Sequence, residues 1–346
     1  MKKLLAFMLT VLYLALCLGG CVPIQDSSEM RVIGVVAKGE DSPFWKAVLA
    51  GAEDAATDNG YQITFRGPAS EQPSEISSQR EMIRLALDND CVGLVLATIG
   101  SGFDDLLEEA YDRGIPVIQF DTGIWPVDIA ALKSKRKRPF VASITTGNEK
   151  AGAVAAEHLF AEIREDIVSA NGVYKLGIIQ HDLSYAGEDR SKGFMEKFRE
   201  LADADLSTVG KYEILRETRV GEAHHAFARA MEMLYAKGAK AVFMTNENVV
   251  NQVSELIDES QGEYDHMCFV GFDGGNRQLN WLRSSSGPRL IGSVTQDAYQ
   301  IGYQAVQQCV NALEARGVTA FVMLPGAWYD MENLDAMLAR NMIEEG

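Results

Sequence analysis

The sequence is short of cysteine, proline and positive charge. Its 346 residues contain 5 Cys and 9 Pro, and 32 Lys and Arg stand against 49 Asp and Glu, so the formal net charge is -17. A surface this negative opposes a phosphate backbone, which excludes nucleic acid as a partner. Scattered Pro and Gly exclude collagen-like chains. With 47% hydrophobic and 23% charged residues, the chain is typical of a globular protein, and its length indicates two lobes.

Sequence motifs of catalysis are also missing. The chain has no G-x-S-x-G, H-E-x-x-H, G-x-x-x-x-G-K-[ST] or G-x-G-x-x-G. The nearest enzyme hypothesis is a lipid-anchored glycosidase that uses two carboxylates such as Asp121 and Asp273. Glu222 with His224 and His225 looks metal-like, but adjacent residues on a helix point about 100° apart and do not converge. We therefore expect no enzyme, no metal site and no cofactor.

The first residues have the pattern of a leader peptide and are not expected to be part of the fold. Lys2-Lys3 precedes an apolar run, Leu4–Leu18, which is too short for a comfortable membrane span. Leu18–Cys21 (LGGC) resembles the lipobox of bacterial lipoproteins, which implies that Cys21 carries lipid and becomes the mature N-terminus. The alternative is a plain signal peptide with an incidental Cys. We predict a signal over 1–21, a tether over 22–30 and an extracytoplasmic protein, lipid-anchored to the cell membrane or in the periplasm.

Three cysteines remain after the leader. Cys91 and Cys268 open apolar strand-like runs, and Cys309 lies in a helical pattern. Three widely spaced cysteines make neither a disulfide framework nor a metal quartet. We expect them to act as small buried hydrophobic residues.

Short apolar runs alternate with helical patterns along the rest of the chain. Such runs between helices are typical of parallel sheets covered on both faces, and two sets of them predict two doubly wound α/β lobes. We expect the chain to cross between lobes near Thr145, Thr295 and Leu324. The predicted lobes are 31–144 plus 296–324, and 145–295 plus 325–346. The predicted strands are Arg31–Ala37, Tyr61–Phe65, Cys91–Ala97, Ile115–Phe120, Phe140–Ile144, Tyr174–Gln180, Lys211–Leu215, Ala239–Met244, His266–Gly271, Arg289–Val294 and Thr319–Leu324.

Polar and aromatic residues follow the predicted strands. Ligands of open α/β sheets bind outside the carboxyl ends of the strands, so these residues are the candidate site. Four of the segments that carry them are Ser42–Trp45 (SPFW), Pro116–Asp121 (PVIQFD), Arg190–Phe194 (RSKGF) and Val270–Gly274 (VGFDG). In their order and spacing, over about residues 31 to 325, the chain resembles the periplasmic sugar-binding proteins of the ribose/galactose type. These are solute-binding subunits of ABC importers with the type I periplasmic binding protein fold.

The resemblance implies a set of sugar contacts. Phe44 and Trp45 would stack on the ring, Asp121 and Asp273 would accept from hydroxyls, and Arg190 would donate. Asn246 and Gln296 would both donate and accept, which suits hydroxyls that do both. Ser42 and Thr122 belong to the same implied site.

The chain also departs from the family's pattern. Thr122 replaces the Arg of ribose-type proteins, and a third aromatic expected near residue 220 is missing. Three residues in strand-end loops are candidates to replace that aromatic residue as a wall of the sugar site: Trp125, His181 and Tyr185. These departures leave a cyclitol, a pentose, a hexose or a furanose-like molecule as the ligand.

Each candidate also has a structural alternative. Phe44 and Trp45 can belong to a core turn, Arg190 to an exposed helix, and Asp273 and Asn246 can be a turn residue or helix caps. Asp121 can be a turn carboxylate and Gln296 a polar hinge residue.

The expected function is capture of a neutral monosaccharide or polyol and its delivery to ABC permease subunits by a lipid-anchored monomer. The alternative is a sensory protein that presents its ligand to a membrane kinase or chemoreceptor. One basic run stands out in this acidic chain, Lys133–Arg138. We interpret it as a solvated loop, with contact to an anionic membrane or the permease as the alternative.

Overall fold

The apolar runs form the strands of a computed structural model that describes residues 31–132, 140–218, 226–340 and 342–343. The strands are β1 Val32–Val36, β2 Gln62–Arg66, β3 Gly93–Leu96, β4 Val117–Phe120, β5 Ala142–Thr146, β6 Tyr174–Gln180, β7 Tyr212–Thr218, β8 Ala239–Met244, β9 Cys268–Phe272, β10 Arg289–Thr295, β11 Phe321–Leu324 and β12 Ala327–Tyr329. The α-helices are α1 Pro43–Asp58, α2 Ile76–Asp88, α3 Asp104–Asp112, α4 Pro126–Ala131, α5 Asn148–Ser169, α6 Tyr185–Ala204, α7 Ala226–Ala236, α8 Glu247–Glu259, α9 Asn276–Arg283, α10 Ala298–Leu313 and α11 Leu334–Ala339.

The strands form two six-stranded sheets. The first has the order β11-β5-β4-β3-β1-β2, and all its pairings are parallel. The second has the order β12-β10-β9-β8-β6-β7, and only its edge strand β12 is antiparallel. The chain passes from one sheet to the other after β5, β10 and β11. The predicted fold class, two doubly wound lobes joined by three crossings, is confirmed.

Each sheet buries its central strands on both faces. The adjacent residues Val35 and Val36 of β1, which point to opposite faces, are almost fully buried, and so are Ile178 and Ile179 of β6. A strand that is covered on both faces needs apolar residues at nearly every position, which is why these strands read as continuous runs. Of the three cysteines after the leader, all free, Cys91 and Cys309 are buried and Cys268 is partly buried.

Glycines allow one pair of helices in each lobe to touch backbone to backbone. In the first lobe, a Cβ on Gly302 of α10 would lie 1.9 Å from the Val48 carbonyl oxygen of α1, and one on Gly51 would lie 2.0 Å from the Tyr299 carbonyl oxygen. In the second lobe, α5 and α6 meet in the same way through Gly152 and Gly193. Only glycine fits at such distances.

Several elements differ from the sequence predictions. The pattern of apolar residues over Phe194–Asp203 predicts a helix there, but α6 begins earlier, at Tyr185, because the Ser184 side chain accepts from the Gly187 N–H and caps it. Helices α4 and α9 and strand β12 were not predicted, since each spans eight residues or fewer. Outside the described residues lie Cys21 and the leader, the run Lys133–Arg138, and the group Glu222, His224 and His225.

Replacing Gly302 tests the close helix contact in the first lobe. We expect Gly302→Ala to lower the free energy of unfolding by about 2–3 kcal/mol, because the added methyl meets a backbone carbonyl that cannot move alone. The matched control is Gly317→Ala, where a Cβ would have no atom within 4 Å. Urea unfolding measures both. Equal stability of the two variants would contradict the close contact.

Candidate functional site

The carboxyl ends of the two sheets bring charged side chains of both lobes close together. The first lobe contributes Lys38 after β1 and Asp121 after β4, and the second contributes Asp182 and Arg190 after β6. The charge of Asp182 acts on Lys38, and that of Asp121 acts on Arg190, so the two sets face one another across the lobes. This cluster is the candidate site.

A buried ion cluster forms the wall of the first lobe. The Lys38 Nζ lies 3.0 Å from Asp121 Oδ2 and 3.1 Å from Glu71 Oε2. Trp45 is 3% exposed, and its Nε1 donates to Glu71 Oε1 at 3.0 Å. Burial alone would lower the pKa of Lys38, but the charges of Asp121, Glu71 and Asp182 outweigh it and raise the pKa. Lys38 therefore stays charged, and it fixes both carboxylates beside the indole.

Asp121 and Asp273 occupy equivalent places in the two lobes. Each follows a strand in the left-handed backbone conformation, with φ of 53° and 64°. Each also donates its backbone N–H to the neighbouring strand, Asp121 to the Ile144 carbonyl oxygen and Asp273 to that of Val294. Asp is among the few non-glycine residues that tolerate this conformation. Both lobes thus end a central strand with a carboxylate at the same edge.

Asp273 is held by hydrogen bonds that reach a hinge residue. Its Oδ1 accepts from Gln296 Nε2 at 2.7 Å, and its Oδ2 accepts from the Glu247 N–H at 3.2 Å. The Gln296 Oε1 in turn accepts from the Thr146 hydroxyl at 2.6 Å. Burial raises the pKa of Asp273, and the charge of Arg190 opposes that rise. Two of the three crossings, at Thr146 and Gln296, are therefore connected to the candidate site.

The structure holds Arg190 rigidly in the second lobe. It is 3% exposed, its Nε donates to Asn148 Oδ1 at 2.8 Å, and its Nη1 donates to the Thr245 carbonyl oxygen at 2.9 Å. The guanidinium lies 3.7 Å above the centre of the Phe272 ring. Burial lowers its pKa. Within the described part of the chain Nη2 has no hydrogen-bond partner, so it remains able to donate to a ligand.

His181 is neutral in this site. Its Nδ1 lies 2.7 Å from Thr245 Oγ1, and its Nε2 faces Asp182. The neutral imidazole donates through one of these nitrogens and accepts through the other. Burial lowers the pKa of His181 to about 4. Its contact with Asp182, 3.4 Å from Nε2 to Oδ1, is thus no pairing of charges at neutral pH.

The carboxylate of Glu247 forms no ion pair within the described residues. Over the described residues no Lys, Arg or His lies within ion-pair distance of it, and its Oε1 occupies the space where a Cβ on Gly275 would be. Burial, followed by the charges of Asp273 and Glu71, raises the pKa of Glu247 to about 7. The second lobe therefore presents a partly protonated carboxyl group that can donate or accept.

Two predicted site residues cap helices. The Ser42 side chain accepts from the Trp45 N–H at 3.3 Å and begins α1. Asn246 Oδ1 accepts from the Val249 N–H at 3.0 Å and begins α8. For Asn246 this is the alternative role that the sequence allowed, whereas no such role was predicted for Ser42. Both caps lie at the strand-end edge, so a ligand role for them stays a prediction.

The other predicted residues surround the cluster. Phe44 packs edge-on against Trp45 with 4.8 Å between ring centroids, and it lines a small pocket with Asp273 and Gln296. Thr122 Oγ1 lies 3.5 Å from the Thr98 carbonyl oxygen, and Trp125 Nε1 donates to the same oxygen at 3.3 Å. Trp125 is therefore turned toward its own lobe.

A cavity of about 430 Å³, here called the side chamber, opens beside the cluster. Both lobes line it. Its lining includes Gln119, Asp121, Ser143, Asn148, Tyr185 and Met323. Tyr185 is 61% exposed, so the chamber reaches the surface.

Sequence reasoning missed Lys38, Glu71, Asp182 and Glu247. Lys38 and Asp182 follow strands β1 and β6 within two residues, so the strand-end rule itself could have found them. Glu247 is adjacent to Asn246 in the sequence, but only Asn246 was predicted as a site residue. Glu71 lies five residues after β2, and no sequence signal brings it to Lys38.

Over the described residues, no helix is long and apolar enough to cross a membrane. The same part of the chain has no group of three or more His, Cys, Asp and Glu residues placed to hold a metal ion.

The family comparison and the comparison with individual proteins agree with each other. Residues 33–317 match the periplasmic binding protein domain family. The chain is similar to the D-apiose import binding protein of Actinobacillus succinogenes, with 22% identity over 285 residues and 81% of each chain covered.

Solved structures give the same picture. One, from Brachyspira murdochii, is described as an ABC transporter, LacI family transcriptional regulator. It is 27% identical with a TM-score of 0.81, over 92% of this chain and 100% of that one. A carbohydrate transporter solute-binding protein from Agrobacterium radiobacter, in complex with D-arabinose, is 22% identical with a TM-score of 0.73, over 92% and 100%.

The raised pKa of Glu247 predicts a pH-dependent stability difference. The unfolded carboxyl ionises near pH 4.5 and the folded one near pH 7, so stability is lost as the pH rises between these values. Glu247→Gln should therefore be more stable than the parent at pH 8, by about 1–3 kcal/mol after solvent screening. At pH 4.5 the two proteins should differ little.

Thermal and urea unfolding at both pH values measure this difference. The matched control is Glu259→Gln, an exposed position on the same helix. His181 has the opposite dependence, because its lowered pKa makes stability rise with pH between about 4 and 6.5, so the comparison has to be variant against parent. An effect of Glu247→Gln that is equal at the two pH values would contradict the prediction.

Proposed function

The chain belongs to the periplasmic binding protein family, and on that premise we propose that it captures a neutral monosaccharide or sugar-like polyol between its two lobes. We place the lobes at 31–144 plus 296–324 and at 145–295 plus 325–346. The ligand would lie where Asp121, Arg190 and Asp273 face one another, with Trp45 and Phe44 against its apolar face. It is bound, on this proposal, without chemical turnover.

One observation carries this proposal. The carboxylates of Asp121 and Asp273 come from different lobes, and the charge of the buried Arg190 acts on both. A polyol has adjacent hydroxyls that each donate and accept, so it can bridge two acceptors and the free N–H of the guanidinium. Such a ligand binds the closed arrangement better than the open one, which is what closes two lobes.

The relatives support the ligand class. One similar protein is named for the import of D-apiose, one structure holds D-arabinose, and a third, from Agrobacterium vitis, holds D-fucose. These are pentoses and a deoxyhexose without a charged group. A site whose charges mostly neutralise one another suits them.

We further propose that the protein is lipid-anchored through Cys21 and delivers its ligand to an ABC permease. The lipobox-like Leu18–Cys21 supports the anchor, and the import function of the D-apiose relative supports the delivery. In this arrangement the tether 22–30 leaves the lobes free to open outside the membrane.

A thermal-shift screen against pentoses, hexoses and cyclitols tests the ligand class. A ligand at about 100 times its Kd adds roughly 2.7 kcal/mol to the free energy of unfolding. Chromatography of the incubated sugars tests turnover. Absence of any shift across the neutral sugars and polyols, or release of new products, would contradict the proposal.

Asp273→Ala tests the site. Loss of the charged acceptor should weaken binding of the sugar found in the screen by about 2–4 kcal/mol, or roughly 30- to 1,000-fold in Kd. Asp273→Asn keeps a residue that tolerates the left-handed backbone, so it separates loss of charge from backbone strain. Titration calorimetry measures both.

The matched control is Asp90→Ala. Asp90 has the same backbone conformation, with φ of 54°, but its side chain is 92% exposed. We expect unchanged affinity there. Unchanged affinity in a folded Asp273→Ala would remove Asp273 from the site.

Cys21→Ser tests the anchor. The variant should leave the membrane fraction and keep its ligand affinity, because the thiol is the only proposed point of lipid attachment. Fractionation with carbonate washing, together with calorimetry on the released protein, measures both. Variant protein that stays in the washed membranes would contradict the lipobox assignment.

A further inference from the structure

The side chamber adjoins the proposed sugar site through shared residues. Asp121, Thr146 and Asn148 line it. Asn148 also holds Arg190, and Thr146 also holds Gln296, which binds Asp273. A ligand bound at Asp121 therefore has one side toward the chamber. The chamber in turn extends to exposed residues at the surface, Glu149 and Lys150.

We propose that the side chamber is a second subsite, which takes a further sugar ring or another uncharged group joined to the first ring by a glycosidic bond. The inference rests on the proposed function, and it makes the natural ligand a glycoside or disaccharide rather than a free monosaccharide. The chamber's size supports it, because about 430 Å³ lies within the range of roughly 300–1,000 Å³ usual for small-molecule binding pockets, so the chamber has room for a group beyond the ring bound at Asp121.

The lining has the chemistry of a sugar subsite. Gln119 Nε2 donates to the Ser143 hydroxyl at 3.0 Å, and its Oε1 accepts from the Ile124 N–H at 3.1 Å, so the amide is fixed and the hydroxyl can still donate. Asp189 has no ion pair within the described part of the chain, and its carboxylate can accept. At the mouth, Tyr185 offers an aromatic face for the C–H side of a ring.

The charges of the lining exclude a phosphorylated ligand. Asp121 and Glu149 are each paired with a lysine, Lys38 and Lys192, which leaves Asp189 and Lys150 as the unpaired charges of the lining within the described residues. A sugar phosphate or a nucleotide sugar would bring two or more negative charges beside them, without the Arg or Lys cluster that such groups need. The second group is therefore uncharged.

Titration calorimetry with matched ligands tests the proposal. Each sugar that binds in a thermal-shift screen is compared with its O-methyl glycoside and with disaccharides in which it is the non-reducing unit. At least one extended ligand should bind about 10-fold tighter or more than its free monosaccharide. Monosaccharides that bind while every extended ligand binds more weakly would overturn the second subsite and leave the proposed function standing. If no sugar of either kind binds, both are overturned.

Two variants locate the gain in the chamber. Tyr185→Ala should remove about 5- to 20-fold of the affinity for the extended ligand, and Ser143→Phe, which fills the chamber, should remove the whole gain. Ser143→Phe should change the Kd of the monosaccharide by no more than about 2-fold, because Ser143 lines the chamber and is not among the proposed contacts of the first ring. The matched control is Leu183→Ala, exposed nearby and outside the lining. Variants that weaken both ligands equally, or an unchanged preference in Ser143→Phe, would overturn the assignment.

Discussion

A buried charge needs a partner, and the facing edges of the two lobes are arranged around that requirement. Lys38 is 7% exposed, and it remains charged because Asp121 and Glu71 lie within 3.1 Å. Those contacts place the Glu71 carboxylate beside Trp45 and the Asp121 carboxylate at the edge of the lobe that faces Arg190. Within the described residues Asp273 has no cation at ion-pair distance, and it is held instead by Gln296 and a backbone N–H. The aspartate of the first lobe is thus preorganised by an ion pair, and that of the second lobe by hydrogen bonds from uncharged donors.

The two lobes repeat one plan. Both end a strand with an aspartate in the left-handed conformation, and both join two helices through paired glycines. The repeat does not extend to the partners of the aspartates, since Lys38 serves one and Gln296 the other. The two aspartates therefore share a backbone geometry but have different electrostatic surroundings. This difference lies at the two sides from which the lobes would contact a ligand.

The sequence was most informative where a physical period was strong. Continuous apolar runs predicted the strands of both sheets, and the strand-end rule led to Asp121, Arg190 and Asp273. Prediction from the sequence failed where an element is short, as in α4 and β12, and where a contact joins distant segments. Glu71 reaches Lys38 only because the turn after β2 folds back over β1, and no local pattern encodes that. Asn246 shows a further limit, since a helix cap and a ligand contact use the same residue type in the same place.

The three crossings also bear on how the chain acquires its fold. The last strand of the first sheet, β11, pairs with β5 through Phe321 and Ser143, and Asn59 bonds Gln307 across a separation of 248 residues. Contacts this distant in sequence form slowly, because a long loop has to close first. Within each lobe the other strands follow one another along the chain, β1 to β5 in the first lobe and β6 to β10 in the second. The edge strands β11 and β12 come last, so neither sheet is complete until the residues near the end of the chain have been synthesised.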